Sequence, residues 1–268
     1  MSVAALAMYA SPAPLAEASR QFWAALGARL RVMGLDAPLS LDESLGYRDA
    51  WLREDLVFAQ TCGYPYVREL RSRVRLVATP AYDLPGCDGA FMRSFIVVAA
   101  HSPADGLPDL RGSRAAINDV GSNSGYNLFR HAIAPHAVDG RFFRSVTATG
   151  GHRASIAAIA AGEADCAAID CVTFGNLRRF EPACLEGVRV LAETAPGPGL
   201  PFITAGSTSD ADLASLRSAL DAVLADPALA DSRGVLALRS VEHLEDAAYE
   251  RLTELEREAA TQGYPQLA

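Results

Sequence analysis

The chain has 268 residues, of which 50% are hydrophobic and 21% are charged, so it carries enough apolar material for a folded core and is not a disordered chain. Its formal net charge of −8 argues against non-specific binding to nucleic acid or to an anionic membrane, since both partners need clustered lysine and arginine. The length fits either one large α/β domain or two smaller lobes.

Short apolar strands alternate with helical stretches, a pattern typical of α/β folds with largely parallel strands. The predicted strands cover residues 3–9, 56–60, 74–79, 95–100, 114–118, 143–147, 166–169, 188–193 and 202–205. Apolar residues recur at spacings of three or four from Leu15 to Leu30, which predicts a helix after the first strand. Further helices are predicted over residues 125–133, 153–161, 211–224 and 244–260.

No stretch approaches the roughly 18 uninterrupted apolar residues of a membrane span, and the first ten residues lack a basic segment typical of an export signal. We therefore expect no direct insertion into a membrane. The expected location is cytoplasmic, or periplasmic if a leader has been removed.

The most informative segment follows the strand predicted to end near Asn118 and opens the next helix. Ser122, Asn123 and Ser124 supply hydroxyl and amide groups there, and Gly125 permits close approach of a ligand. The first N–H groups of a helix lack intrahelical partners and lie at its positive end, so this turn is a candidate anion site. The alternative is a polar helix cap without a ligand.

Three other segments also follow predicted strands and supply candidate ligand contacts. Gln60 and Thr61 come directly after a buried strand, and His152 stands at the start of another helix. Tyr9 and Asp170 end the first strand and the strand at 166–169. The carboxyl ends of strands are where α/β proteins bind ligands, so each of these side chains is a candidate pocket residue, or else ordinary loop polarity.

Signatures of the common enzyme classes are absent from the sequence. Asn123 occupies the position that a nucleophile elbow gives to serine, and the chain has neither a P-loop nor a dinucleotide-binding glycine motif after its first strand. The five cysteines lack metal-binding spacing, so we expect no metal site and no cofactor. A cysteine nucleophile at Cys62 with His152 as its base remains an alternative.

Several motifs together resemble the phosphonate/phosphite/phosphate substrate-binding proteins of ABC transporters. They are the segments 109–112 (DLRG), 118–126 (NDVGSNSGY), 150–155 (GGHRAS), 162–165 (GEAD) and 168–170 (AID). The resemblance implies a two-lobed type II periplasmic-binding-protein fold, an α/β architecture with mixed sheets and an interlobe cleft. Lobe 1 would comprise residues 1–94 and 190–268, and lobe 2 residues 95–189.

The same resemblance implies a binding protein without chemistry of its own, which takes up a phosphonate or a phosphate-like oxyanion and has an ABC permease as its possible partner. Ser122, Ser124, Gly125 and Tyr126 would hold the oxyanion. The rest of the ligand would be contacted by Tyr9, Gln60, Thr61, His152 and Asp170, and Asn118 and Asn123 complete the candidate set. The alternatives are an enzyme on the same fold and a cytoplasmic small-molecule sensor.

Overall fold

The computed structural model describes residues 2–268 and shows a mixed α/β protein, as the alternation of strands and helices predicts. The chain divides into two compact units. Unit 1 contains residues 2–83, Asp88–Ala90 and Gly199–Ala248, and unit 2 contains Leu84–Cys87, Phe91–Pro198 and Tyr249–Ala268.

The described residues form strands β1 Val3–Ala5, β2 Leu56–Gln60, β3 Val74–Tyr82, β4 Cys87–Asp88, β5 Phe91–Met92, β6 Ser94–Ala99, β7 Arg114–Ile117, β8 Ser145–Ala148, β9 Cys166–Asp170, β10 Val188–Glu193, β11 Gly197–Pro198, β12 Phe202–Ala205 and β13 Leu238–Glu242. They form α-helices α1 Ala13–Val32, α2 Tyr47–Trp51, α3 Gly63–Pro65, α4 Leu128–Ile133, α5 His152–Ala160, α6 Cys171–Phe180, α7 Asp210–Ala225, α8 Ala230–Leu236 and α9 Glu250–Thr261. A π-helical turn, Asn123–Asn127, runs directly into α4. No helix among residues 2–268 combines the length and apolarity that crossing a membrane requires.

Unit 1 is built on a five-stranded sheet in the order β1-β2-β12-β3-β13. β1 and β2 are parallel, and the other neighbouring pairs are antiparallel. The apolar face of α1 that the sequence predicts is buried in this unit, with Phe22, Leu26 and Leu30 at most 1% exposed. Removing these side chains from water is the main stabilising term for the unit.

Unit 2 is built on a second five-stranded sheet, in the order β10-β6-β9-β7-β8. β7 runs parallel to both β8 and β9, whereas β6 runs antiparallel to β9 and β10. The carboxyl ends of β7, β8 and β9 therefore meet at one edge of the sheet. This edge carries most of the polar residues that the sequence analysis singled out.

The C-terminal residues Tyr249–Ala268 belong to unit 2, whereas the sequence analysis assigned residues 190–268 to lobe 1. Buried polar contacts explain the difference. Asn127 Nδ2 donates to the Leu252 carbonyl at 2.9 Å, and the guanidinium of Arg130 donates to Asn127 Oδ1 at 2.6 Å and to the Pro265 carbonyl at 2.8 Å. Gly197 lets β11 approach α9, since a Cβ at that position would lie 2.6 Å from Leu252 Cδ2.

Further elements differ from the sequence prediction. β1 ends at Ala5 instead of residue 9, and the last predicted helix begins at Glu250 after a short 3₁₀ turn at Asp246–Tyr249. α8 and β13 were not predicted, because the segment from 230 to 242 lacks a long apolar period of its own.

The replacement Asn127→Ala is expected to lower the free energy of unfolding by about 2–4 kcal/mol, because it strips partners from a buried carbonyl and a buried guanidinium. Urea unfolding measures the loss, and limited proteolysis should show earlier cleavage within residues 249–268. Arg251→Ala, which removes a part-exposed ion pair on α9, is the control and should cost about 1 kcal/mol or less. Unfolding of Asn127→Ala at the wild-type urea concentration would contradict the role assigned to these contacts.

Candidate functional site

Polar residues converge where three parallel strands of unit 2 end. Asn118 directly follows β7, Thr149 directly follows β8, and Asp170 is the last residue of β9. Ser94 begins the antiparallel neighbour β6 and pairs in register with Asp170. Four separate stretches of sequence thus contribute to one edge, which is the usual position of ligand sites in α/β sheets.

The serine turn, residues 118–125, is held by hydrogen bonds of its own. Asp119 Oδ1 accepts from the Gly121 amide at 2.6 Å, and the Asp119 carbonyl accepts from the Ser122 amide at 3.1 Å. Ser122 Oγ accepts from the Gly125 amide at 3.1 Å and so caps the helix that begins at Asn123. The Ser122 and Gly125 amides are therefore bonded within the turn and are not free to bind an anion.

The Ser124 amide is a donor that the turn leaves unused. Ser124 is 5% exposed, and its N–H makes no hydrogen bond to any group within residues 2–268. Most buried amides in proteins are paired, so an unpaired one at a helix start points to an external acceptor. The positive end of the helix favours a negatively charged acceptor at that point.

A hydrogen bond between Ser124 and His152 joins the two helix starts at this edge. Ser124 Oγ lies 3.0 Å from His152 Nε2 and 3.5 Å from Ser122 Oγ. His152 is the first residue of α5, and the preceding Gly150 amide donates to the Asn118 carbonyl at 3.0 Å. Two hydroxyls and an imidazole consequently lie together beside the unused Ser124 amide.

Burial lowers the pKa of His152 to about 4, and the backbone carbonyl of Ala168 opposes this shift. The ring is therefore neutral at pH 7, although part of the residue's surface reaches solvent. The Nδ1 atom is buried and has no hydrogen-bond partner among residues 2–268. A neutral imidazole can make a hydrogen bond but cannot form an ion pair with an anion.

Asn118 Oδ1 is a second buried atom of this edge without a hydrogen-bond partner. It packs against Gly125, where a Cβ would lie only 1.9 Å from it, so the position excludes any larger residue unless Asn118 moves. Each unpaired buried polar atom costs about 1–3 kcal/mol. Two such atoms in one place are a cost that proteins typically accept at functional sites.

Two residues that hold the serine turn were not predicted from the sequence. Ser94 Oγ donates to the Ser124 carbonyl at 2.9 Å, and Thr194 Oγ1 accepts from the Ser94 amide at 2.9 Å. Both side chains are almost completely buried. The only sequence signal was a hydroxyl residue at the end of an apolar strand, which does not show that two distant segments meet.

The other predicted residues of unit 2 have different contacts. Asn123 Oδ1 accepts from Asn127 Nδ2 at 3.2 Å, and Asp170 Oδ1 accepts from the Thr173 amide at 2.8 Å, which caps α6. The Tyr126 hydroxyl accepts from the Leu267 amide at 3.4 Å, and its ring faces Arg130. Tyr126 lies two positions after Ser124, which is about half a helical turn. Its side chain therefore points away from Ser124, towards the C-terminal segment.

Tyr9, Gln60 and Thr61 lie in unit 1. Gln60 Nε2 donates to the Tyr82 hydroxyl and to the Leu200 carbonyl, both at 3.0 Å, and the Tyr9 ring packs edge-on against Tyr82 at 5.7 Å. Tyr82, which the sequence analysis did not single out, thus connects two predicted residues. Thr61 is fully buried, and its amide donates to the Pro201 carbonyl at 3.0 Å.

The surroundings of His152 bear on the alternative of a cysteine nucleophile at Cys62 with His152 as its base. His152 Nε2 contacts Ser124 Oγ, and no carboxylate among residues 2–268 hydrogen-bonds to Nδ1 to orient the ring as a catalytic base. Within residues 2–268, no group of three or more histidine, cysteine, aspartate or glutamate side chains is arranged to hold a metal ion.

The buried His152 makes stability depend on pH in a defined window. Because its pKa is 6.5 unfolded and about 4 folded, the unfolded state binds a proton first as the pH falls, and native stability is lost between these values. The loss amounts to about 3 kcal/mol. In urea unfolding from pH 7 to 4, His152→Gln should show a correspondingly smaller decrease. The exposed His101→Gln is the control, and equal decreases in wild type and His152→Gln would contradict the assignment.

Comparisons with known proteins give the site a family context. Residues 42–250 match the family described as "ABC transporter, phosphonate, periplasmic substrate-binding protein". A search of curated proteins finds no match.

Similar solved structures span nearly the whole chain. PhnD1 from Prochlorococcus marinus in complex with methylphosphonate has a TM-score of 0.77 and 15% identity, covering 96% of this chain and 98% of that one. A binding protein component of an ABC phosphonate transporter from Pseudomonas aeruginosa has a TM-score of 0.76 and 16% identity, covering 98% and 88%. XAC2383 from Xanthomonas citri bound to ATP has a TM-score of 0.69 and 19% identity, covering 98% of each chain.

These likenesses establish the fold of the periplasmic binding proteins that the motifs predicted. The family match covers more than half of the chain, including the serine turn and His152. The chain therefore belongs to the phosphonate substrate-binding proteins of ABC transporters.

Proposed function

We propose that the chain binds a small phosphonate or phosphate-like oxyanion on the serine turn of unit 2 and presents it to an ABC permease. The observation that carries the proposal is the buried Ser124 amide, which has no acceptor among residues 2–268. Its N–H and the two serine hydroxyls offer several hydrogen bonds to one tetrahedral group, and His152 orients the Ser124 hydroxyl.

The proposed site binds the anion with neutral dipoles. A protonated Nε2 of His152 would donate to Ser124 Oγ, which leaves the Ser124 hydroxyl proton free to point at the ligand. The starts of α5 and of the helix at Asn123 add their positive ends. Neutral donors select by geometry, so a tetrahedral oxyanion with three equivalent oxygens fits this set better than a planar carboxylate.

The known relatives favour the same ligand class. PhnD1 is in complex with methylphosphonate, and XAC2383 is bound to ATP, so both ligands carry a tetrahedral phosphorus oxyanion. We propose methylphosphonate as the first ligand to test. The family description likewise supports an ABC permease as partner and a periplasmic location for the exported protein.

Four further contacts stay predictions. Tyr9, Gln60 and Thr61 are proposed to contact the part of the ligand that lies beyond the oxyanion. The Asp170 carboxylate, which is 2% exposed, would suit a ligand that also carries an amine or a hydroxyl. A higher affinity for 2-aminoethylphosphonate than for methylphosphonate would support this role of Asp170.

Isothermal titration with methylphosphonate is expected to show binding to the wild type and a loss of about 10- to 100-fold in affinity for Ser124→Ala. This range corresponds to about 1.5–3 kcal/mol for one hydrogen bond to a charged group. Ser207→Ala, which removes an exposed hydroxyl of unit 1, is the matched control and should bind like the wild type. Ser122→Ala is less informative, because it also removes a helix cap.

Phosphate, methanesulfonate and acetate complete the titration. If only the sulfonate or the carboxylate binds, the proposed phosphonate ligand is wrong. If Ser124→Ala binds methylphosphonate as tightly as the wild type, the Ser124 hydroxyl does not contact the ligand, which would contradict the proposed set of donors. If Ser124→Ala binds more weakly, thermal unfolding of the variant, compared with that of the wild type, separates the loss of a contact from the loss of the fold.

A further inference from the structure

Two cysteine sulfurs lie next to each other in unit 2. Cys87 Sγ is 3.5 Å from Cys171 Sγ, and the two residues are 84 positions apart in the sequence. Both are free thiols. The remaining cysteines of this unit have other neighbours, since Cys166 Sγ contacts Ser113 and Cys184 Sγ contacts Glu181.

The backbone brings the two thiols together. Arg93 donates its amide to the Gly86 carbonyl and accepts from the Cys171 amide with its own carbonyl, both at 3.2 Å. Gly86 has a φ of +91°, and a Cβ there would lie 2.7 Å from Cys171 Cβ. Only a glycine lets the segment before Cys87 pass so close to the start of α6.

The two thiols differ in accessibility. Cys87 is partly exposed, whereas Cys171 is completely buried. The contact with Cys87, burial and the charge of Asp170 all raise the pKa of Cys171, so its thiolate is disfavoured. An external reagent therefore reaches Cys87 first, and Cys171 is placed to react second.

We propose that Cys87 and Cys171 are a dithiol pair that closes to an intramolecular disulfide when the protein meets a disulfide oxidant. The Cys87 thiolate attacks one sulfur of the oxidant, forms a mixed disulfide and releases one thiolate. Cys171 then loses its proton and attacks Cys87 Sγ, which releases the second thiolate. Two protein thiols are oxidised by two electrons, and the oxidant is reduced to two thiols.

The bond would fix the segment Leu84–Cys87 to the first residue of α6, next to Asp170. Leu84–Cys87 is the short stretch of unit 2 that precedes the unit 1 segment Asp88–Ala90. Closing a loop of this length constrains the unfolded chain, so the oxidised protein should unfold at a Tm higher by about 5–10 °C. Sulfurs already in contact need only a small movement to bond.

The test exposes the folded protein to oxidised glutathione, blocks the remaining thiols and counts them. The count should fall by two from the five cysteines of the chain, and peptide mass mapping should recover a link between Cys87 and Cys171. Cys171→Ser should trap glutathione on Cys87, because the resolving thiol is missing. Cys87→Ser should leave Cys171 unmodified, because that sulfur is buried.

Cys184→Ser is the matched control, since it removes another partly exposed thiol and should still form the link. Serine replaces cysteine with little change in volume, and circular dichroism verifies that each variant is folded. Retention of all five thiols at a glutathione concentration that oxidises the urea-unfolded chain would overturn the proposal. Recovery of a different cysteine pair would overturn it as well, and so would a Cys171→Ser variant that retains no glutathione on Cys87.

Discussion

The hydrogen bond between Ser124 Oγ and His152 Nε2 joins two helix starts that would otherwise be separate surface turns. It exists because β7 and β8 run parallel and end at the same edge of the unit 2 sheet. Ser94 fixes the Ser124 carbonyl from a third strand, so the serine turn has little freedom to rotate. The proposed site is thus held by the sheet in the absence of a ligand, and such preorganisation would reduce the ordering cost of binding.

This arrangement keeps polar groups unpaired inside the protein. The Ser124 amide, Asn118 Oδ1 and His152 Nδ1 all lack partners among residues 2–268. Each of these unpaired groups lowers native stability, because it has lost its contact with water. The same loss of water lowers the pKa of His152. The unpaired polar groups at this edge lower the stability of unit 2. The apolar core on the sheet and the buried contacts of Arg130 and Asn127 offset that loss.

The sequence was most informative where one short segment determines its own geometry. The buried face of α1 follows from its apolar period, and the helix cap that the sequence offered as the alternative to an anion site is present at Ser122. Ser94, Thr194 and Tyr82 were missed because their roles depend on contacts with segments far away in the chain. Predicting the orientation of Tyr126 requires knowing the residue at which the helix begins, and the motif does not specify that residue.

The assignment of the C-terminal segment shows the same limit. Residues 249–268 join unit 2 through Leu252 and Pro265 carbonyls, and a carbonyl acceptor leaves no trace in a sequence. The Cys87 and Cys171 pair, 84 positions apart, was equally invisible as a pattern. The motifs predicted the overall fold, whereas contacts between segments far apart in the sequence were not predicted.

The central claim is that the free Ser124 amide is the anion donor, and amide-resolved nuclear magnetic resonance tests it most directly. In a titration of ¹⁵N-labelled protein with methylphosphonate, the Ser124 N–H resonance should move downfield and show a coupling to phosphorus across the new hydrogen bond. A Ser124 resonance that stays in place while the protein becomes saturated with ligand would contradict the account.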